Sequence, residues 1–172
     1  MRRMLAALAV VGALAACGRA EEAPPAAPLE TVVPVEETAA AGETAPPTAS
    51  AVDPCALVSK AEAEALAGLK MQDAVRAPES CSYTTPPTGT TGQVEVYIGD
   101  GAKKQYDIEL QLGHELAPLS GAGDEAYTYV DGLTVYVNKG GVWTSLHLVR
   151  IDDPAKFRAR LEELARTMST RY

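Results

Sequence analysis

The sequence predicts an α+β domain over residues 53–172, built as one antiparallel sheet of five to six strands with helices on one face, one disulfide, and a disordered linker ahead of it. Three observations carry that reading. Apolar and polar residues alternate in Gln93–Gly99 and again in three segments between Glu125 and Arg150, the period of a half-buried strand. Lys60–Ala67 and the stretch after Asp153-Pro154 follow strong helix-starting residues, and the second carries its apolar residues at helical spacing. The elements run helix, strands, helix, strands, helix, an order that suits a sheet with helices packed against it. About 120 residues are enough for a single core.

Ser59-Lys60-Ala61-Glu62 has the form of a capping box, so a first helix is expected over Lys60–Ala67 with Gly68 ending it. Cys81–Thr84 reads as a short strand, Pro86-Pro87-Thr88-Gly89 as a turn, and Gln93–Gly99 as a strand with Val94, Val96 and Ile98 inward. Ala102–Leu112 is ambiguous: Tyr106, Ile108, Leu110 and Leu112 fit period two, while its Ala, Lys, Gln and Glu favour helix. Helix is the preferred reading, with Asp100 as cap and Gly113 as stop. Glu125–Val130, Leu133–Asn138 and Val142–Arg150, separated by Asp131-Gly132 and Gly140-Gly141, form an expected meander. Asp153-Pro154 then opens a helix whose Phe157, Leu161, Leu164, Ala165 and Met168 share a face, with Arg158, Glu162 and Arg166 spaced for surface pairs.

Ahead of the domain stand two different segments. Arg2 and Arg3 precede an apolar run, Met4–Ala16, that is too short to span a bilayer, which takes roughly 20 residues. It ends in Leu14-Ala15-Ala16-Cys17, which resembles a bacterial lipobox, so residues 1–16 are expected to be a cleaved signal and Cys17 the lipidated first residue of the mature chain, held by palmitate-class acyl chains. Two or three such chains anchor stably, since each buried methylene contributes about 0.8 kcal/mol. Gly18 stands where inner-membrane retention signals usually place Asp, so an outer membrane, in a host that has one, is the favoured anchor within the cell envelope. Residues 17–52 are rich in Pro, Ala, Glu and Thr, carry six glutamates against Arg19 alone, and read as a spacer. With Cys17 assigned to lipid, Cys55 and Cys81 are an even pair in an exported protein, and a disulfide is expected. The rival reading, a metal or redox pair, has no Cys-x-x-Cys spacing or neighbouring histidine behind it.

Four motifs carry a resemblance: Asp53-Pro54-Cys55-Ala56-Leu57-Val58, then Cys81-Ser82-Tyr83, then Ser120-Gly121-Ala122-Gly123-Asp124-Glu125-Ala126, then Gly141-Val142-Trp143. In this order they resemble the Asp-Pro-Cys lipoproteins, a family of exported bacterial lipoproteins of unknown function common in actinobacteria. Tyr83 stands where that family often has Trp. The resemblance implies a lipid anchor, a disulfide between the two cysteines and an α+β fold, and it implies no catalytic residue.

Charge narrows the partners. The chain carries a formal −8, and loss of Arg2 and Arg3 with the signal takes it to −10, which disfavours nucleic acid. No cofactor or metal motif is present: Asp100, Asp107, Glu109 and Glu115 lack calcium-loop spacing and read as a solvated helix face, and Gly121-Ala122-Gly123-Asp124 reads as a tight turn and not a dinucleotide fingerprint. His114 and His147 are the only histidines. Ser145 shares a strand face with His147, which offers an exported Ser/His hydrolase as a rival function, without the Gly-x-Ser-x-Gly turn such enzymes use. The leading expectation is a non-enzymatic binding or interaction domain displayed on a membrane lipoprotein, meeting an envelope protein, peptide or glycan. Its candidate site is the sheet face opposite the helices, where Tyr97, Tyr127, Tyr129 and Tyr136 should gather, joined by Trp143 and His147. A structural envelope protein with no special face is the third reading.

Overall fold

The structure, a computed structural model, describes residues 48–172. The expected signal peptide, Cys17 and the expected linker as far as residue 47 lie outside the described residues. Asp53 and Pro54 open a one-turn helix, α1 (Pro54–Leu57), in which the Asp53 carboxylate accepts from the Cys55 N–H at 2.9 Å. The same carboxylate takes Arg76 at 3.0 Å, and this guanidinium, helped by the Cys55 N–H, holds Asp53 below the usual carboxylate range. Helix α2 (Lys60–Ala67) has the expected boundaries, a complete capping box between Ser59 and Glu62, and Gly68 as its left-handed cap.

Seven strands follow: β1 (Val75–Ala77), β2 (Ser80–Thr84), β3 (Gln93–Ile98), β4 (Leu116–Pro118), β5 (Glu125–Tyr129), β6 (Thr134–Lys139) and β7 (Val142–Val149). The α+β fold and antiparallel sheet are as expected; the count exceeds five to six because β1 and β4, three residues each, are too short to show a period. Both lie on edges in the order β1-β2-β3-β7-β6-β5-β4, where the proline of β4 is tolerated. Every pairing is antiparallel.

One face of this sheet packs on α1, α2 and the C-terminal helix α4 (Arg158–Ser169). Val94, Val96 and Ile98 from β3, Val135 and Val137 from β6, and Leu146 and Leu148 from β7 meet Leu57, Leu66, Leu161 and Met168 there, all nearly inaccessible. The Cys55–Cys81 disulfide joins α1 to β2 within this core, and the buried Tyr83 hydroxyl donates to the Val58 carbonyl at 2.6 Å. Asp153 caps as expected, accepting from the Ala155 N–H, but what it caps is a 3-10 turn, Pro154–Lys156, after which α4 starts afresh. Glu162 pairs with Arg166 at 3.8 Å, whereas Arg158 turns away to donate to the Val130 carbonyl.

The expectation of helices on one face fails at helix α3 (Asp100–Gln111). Leaving β3 near the middle of the sheet, the chain must reach β4 at the far edge, four inter-strand steps or roughly 19 Å away. A helix of twelve residues rises about 18 Å, and with the other face already filled it crosses the sheet on the opposite side. The helix reading of this stretch holds, but Gly99 and not Asp100 is its N-cap. Ile108, Leu110 and Leu112, the residues behind the strand-like alternation, are exposed.

The C-terminus is locked to α2. Arg171 donates to the Leu57 carbonyl and bridges both oxygens of Glu62, at 2.5 and 2.9 Å. Arg171, together with Ser59, brings the Glu62 carboxyl down to about 2. A depressed folded value stabilises above the unfolded carboxylate range and is lost as pH falls from about 4.5 to 2. Between pH 5 and 2, melting followed by circular dichroism should therefore fall less steeply for Glu62→Gln than for wild type, by about 1 kcal/mol given the partial exposure of the pair.

Candidate functional site

Strand register lays the α3-side face out in rows. One row crosses the sheet as Tyr127, Tyr136, Ser145 and Tyr97; the next as Tyr129, Thr134, His147, Glu95 and Ser82. The expected gathering of tyrosines on one face is therefore present, and Trp143 and His147 share it. The face is not the open platform that reading assumed, because α3 lies across its first row.

Tyr106 of α3 provides the cover. Its ring stacks on Trp143 at 4.7 Å and meets Tyr127 at 5.2 Å and Tyr136 at 5.6 Å, while neighbouring Gln105 accepts from the Ser145 hydroxyl at 3.0 Å. Lys103 sits over Trp143 and Tyr106 and pairs with Asp107 at 2.6 Å. Removal from water, with Tyr127 beside it, pushes the Tyr106 phenol up to about 12. Tyr136 is only 2 % exposed, and burial followed by the charge of Glu109 raises its phenol strongly. Trp143, Tyr127 and Tyr136 are thus largely the core of a second layer.

The second row stays open. Between it and the C-terminal half of α3 runs a cleft of about 290 Å³ lined by Gln105, Ile108, Glu109, Tyr129, Thr134 and His147. His147 Nδ1 faces Glu95 at 3.3 Å, and Glu95 also accepts from Gln93 at 2.7 Å and from the Tyr97 hydroxyl at 3.3 Å. His147 foremost, then the Tyr97 and Ser82 hydroxyls, hold the Glu95 carboxyl below its ordinary value against the opposing effect of burial. Glu109, expected on a solvated face, has a side chain only 21 % exposed and meets His114 Nδ1. His114 in turn stacks on Tyr129, ring centres 4.9 Å apart and nearly parallel. The Tyr129 ring lies against Gly132, where an added Cβ would come within 2.2 Å of it. His147 thus lines the cleft, and His114 stands behind two of its other lining residues, Glu109 and Tyr129.

Ser145 and His147 share the face as anticipated, but no hydrogen bond joins them: Ser145 is fully buried against Gln105, and His147 Nδ1 is turned to Glu95. Among the described residues no group of three or more histidine, cysteine, aspartate or glutamate side chains is placed to hold a metal ion. Sequence reasoning missed Tyr106, Glu109 and His114 as partners of this face. Reading 100–111 as a helix that must cross the sheet is the signal that finds them, since Ala102, Tyr106 and Glu109 then fall on one side. Comparison with protein-family models, with curated proteins and with solved structures finds no match to the chain.

Proposed function

We propose that this chain is a membrane-anchored envelope lipoprotein, akin to the Asp-Pro-Cys lipoproteins, that displays residues 53–172 as a binding domain. The observation that carries the reading is the disulfide. It uses Cys55 and Cys81, fits an oxidising compartment, and leaves Cys17 as the one further cysteine, at the end of a lipobox-like signal. The cleft along the second row supports a binding role, because it is concave and bordered by fixed side chains. The burial of Ser145 favours binding over a Ser/His hydrolase.

Growth with an alkyne-tagged palmitate should label the wild-type chain and place it in the membrane fraction, while Cys17→Ser carries no label and leaves that fraction. Equal labelling of the two overturns the anchor. Chemical cross-linking in intact envelopes tests the site: His147→Ala should recover less of whatever partner wild type recovers, and equal recovery removes the cleft from the proposal.

A further inference from the structure

We propose that the cleft between α3 and the Tyr129–Thr134–His147 row, continued past His147 to Glu95, binds an extended, basic and aliphatic segment of a partner polypeptide, seating its arginine or lysine side chains against Glu109 and Glu95. The inference rests on the reading of this domain as a binding module and names what it binds.

Charge gives the first argument. Glu109 lines the cleft, Glu95 stands beside its His147 on the neighbouring strand, no lysine or arginine lines it, and among the described residues neither glutamate forms an ion pair with one. Their nearest partners are the two histidines, His114 at Glu109 and His147 at Glu95. Asp131 and Glu115, both exposed, flank the Tyr129 end, and with Glu109 the Asp131 charge raises the Tyr129 phenol beyond the effect of its desolvation. An anionic or acidic ligand is repelled here; a cationic one is drawn in.

The rims give the second. Ile108 on α3 is 52 % exposed and Leu112, one turn on, 64 %; across the floor Val149, paired with Gln93 in the next row, is 37 % exposed. A polar, acidic floor between aliphatic rims matches a strand in which basic side chains alternate with aliphatic ones. The row crosses five strands, roughly 19 Å, which about six extended residues span. The aromatic rings argue against a glycan at this place, since one face of Tyr129 is taken by His114 and Trp143 is stacked on Tyr106.

The test uses the lipidated full chain in non-ionic detergent micelles at physiological salt, with fluorescent octapeptides that alternate leucine with arginine, glutamine or glutamate. Anisotropy should rank arginine above glutamine by about tenfold, with glutamate weakest. Glu109→Gln should remove most of that gap. Ile108→Arg, at an exposed position where folding is not at stake, should also weaken the arginine peptide and spare the glutamate one. Glu163→Gln, on α4 across the molecule, should leave the ranking intact. Equal binding of all three peptides, or equal losses for Glu109→Gln and Glu163→Gln, overturns the proposal. Binding of none overturns it too, yet a partner still cross-linked through His147 in envelopes would leave the binding-domain reading standing with another ligand.

Discussion

Replacing Cys55 and Cys81 together with alanine is expected to destabilise the domain by roughly 3–4 kcal/mol, read as a fall of about 12–20 °C in melting temperature. The bond closes a separation of 26 residues, and releasing that loop restores chain entropy to the unfolded state. A local reason adds to the effect. Helix α1 is a single turn of four residues and has little stability of its own, so its hold on the sheet comes from the disulfide, the burial of Leu57 and the Asp53–Arg76 pair. Cys81 is completely inaccessible, so its truncation also leaves a void. Melting of the double variant against wild type under non-reducing conditions measures the loss; a change below about 1 kcal/mol contradicts the assignment of this bond as a main support.

Gly123→Ala should cost on the order of 3 kcal/mol or more, an unusually large effect for one methyl group in a surface loop. Gly123 has φ +61°, and a Cβ there would lie 2.4 Å from the Asn138 carbonyl oxygen and 2.7 Å from Val137 Cγ1. The first of these is backbone of β6, so nothing can swing aside. The close approach is what allows the Asp124 N–H to reach the Asn138 carbonyl at 2.8 Å and the Asp124 carboxylate to accept from the Gly140 N–H at 2.6 Å, clamping the β6–β7 hairpin. Gly121→Ala is the control. Its φ is +80° but the nearest atom is Arg166 Cδ at 3.7 Å, so only the left-handed backbone penalty of about 1–2 kcal/mol applies. Urea titration of the two variants should separate them clearly, and equal losses would assign the effect to backbone conformation alone.

Local signals were legible in the sequence and crossings were not. The capping box of α2, the alternation in β3 and the glycine-marked hairpins of β5, β6 and β7 each state their structure within a few residues, and their boundaries agree with expectation to within about one or two residues. The side assignment of α3 depends on which strands neighbour β3, a long-range fact, and the pairing of β3 with β7 is carried by no local pattern. That is why the tyrosine row was rightly gathered on one face and wrongly left open. The second-row cleft exists only once α3 is in place, so Glu109 and His114 gave no sign of it from their positions in the chain.

The last strand of the chain is also the central one. Until β7 arrives, β1–β3 and β4–β6 are two separate meanders, each presenting a bare inner edge at β3 and β6 with valines alongside. No stretch that ends before Val142 can close this sheet, so folding waits for nearly the whole polypeptide and couples residues some fifty positions apart. A chain built this way, emerging from the ribosome N-terminus first, cannot complete its sheet until Val142–Val149 is free to pair.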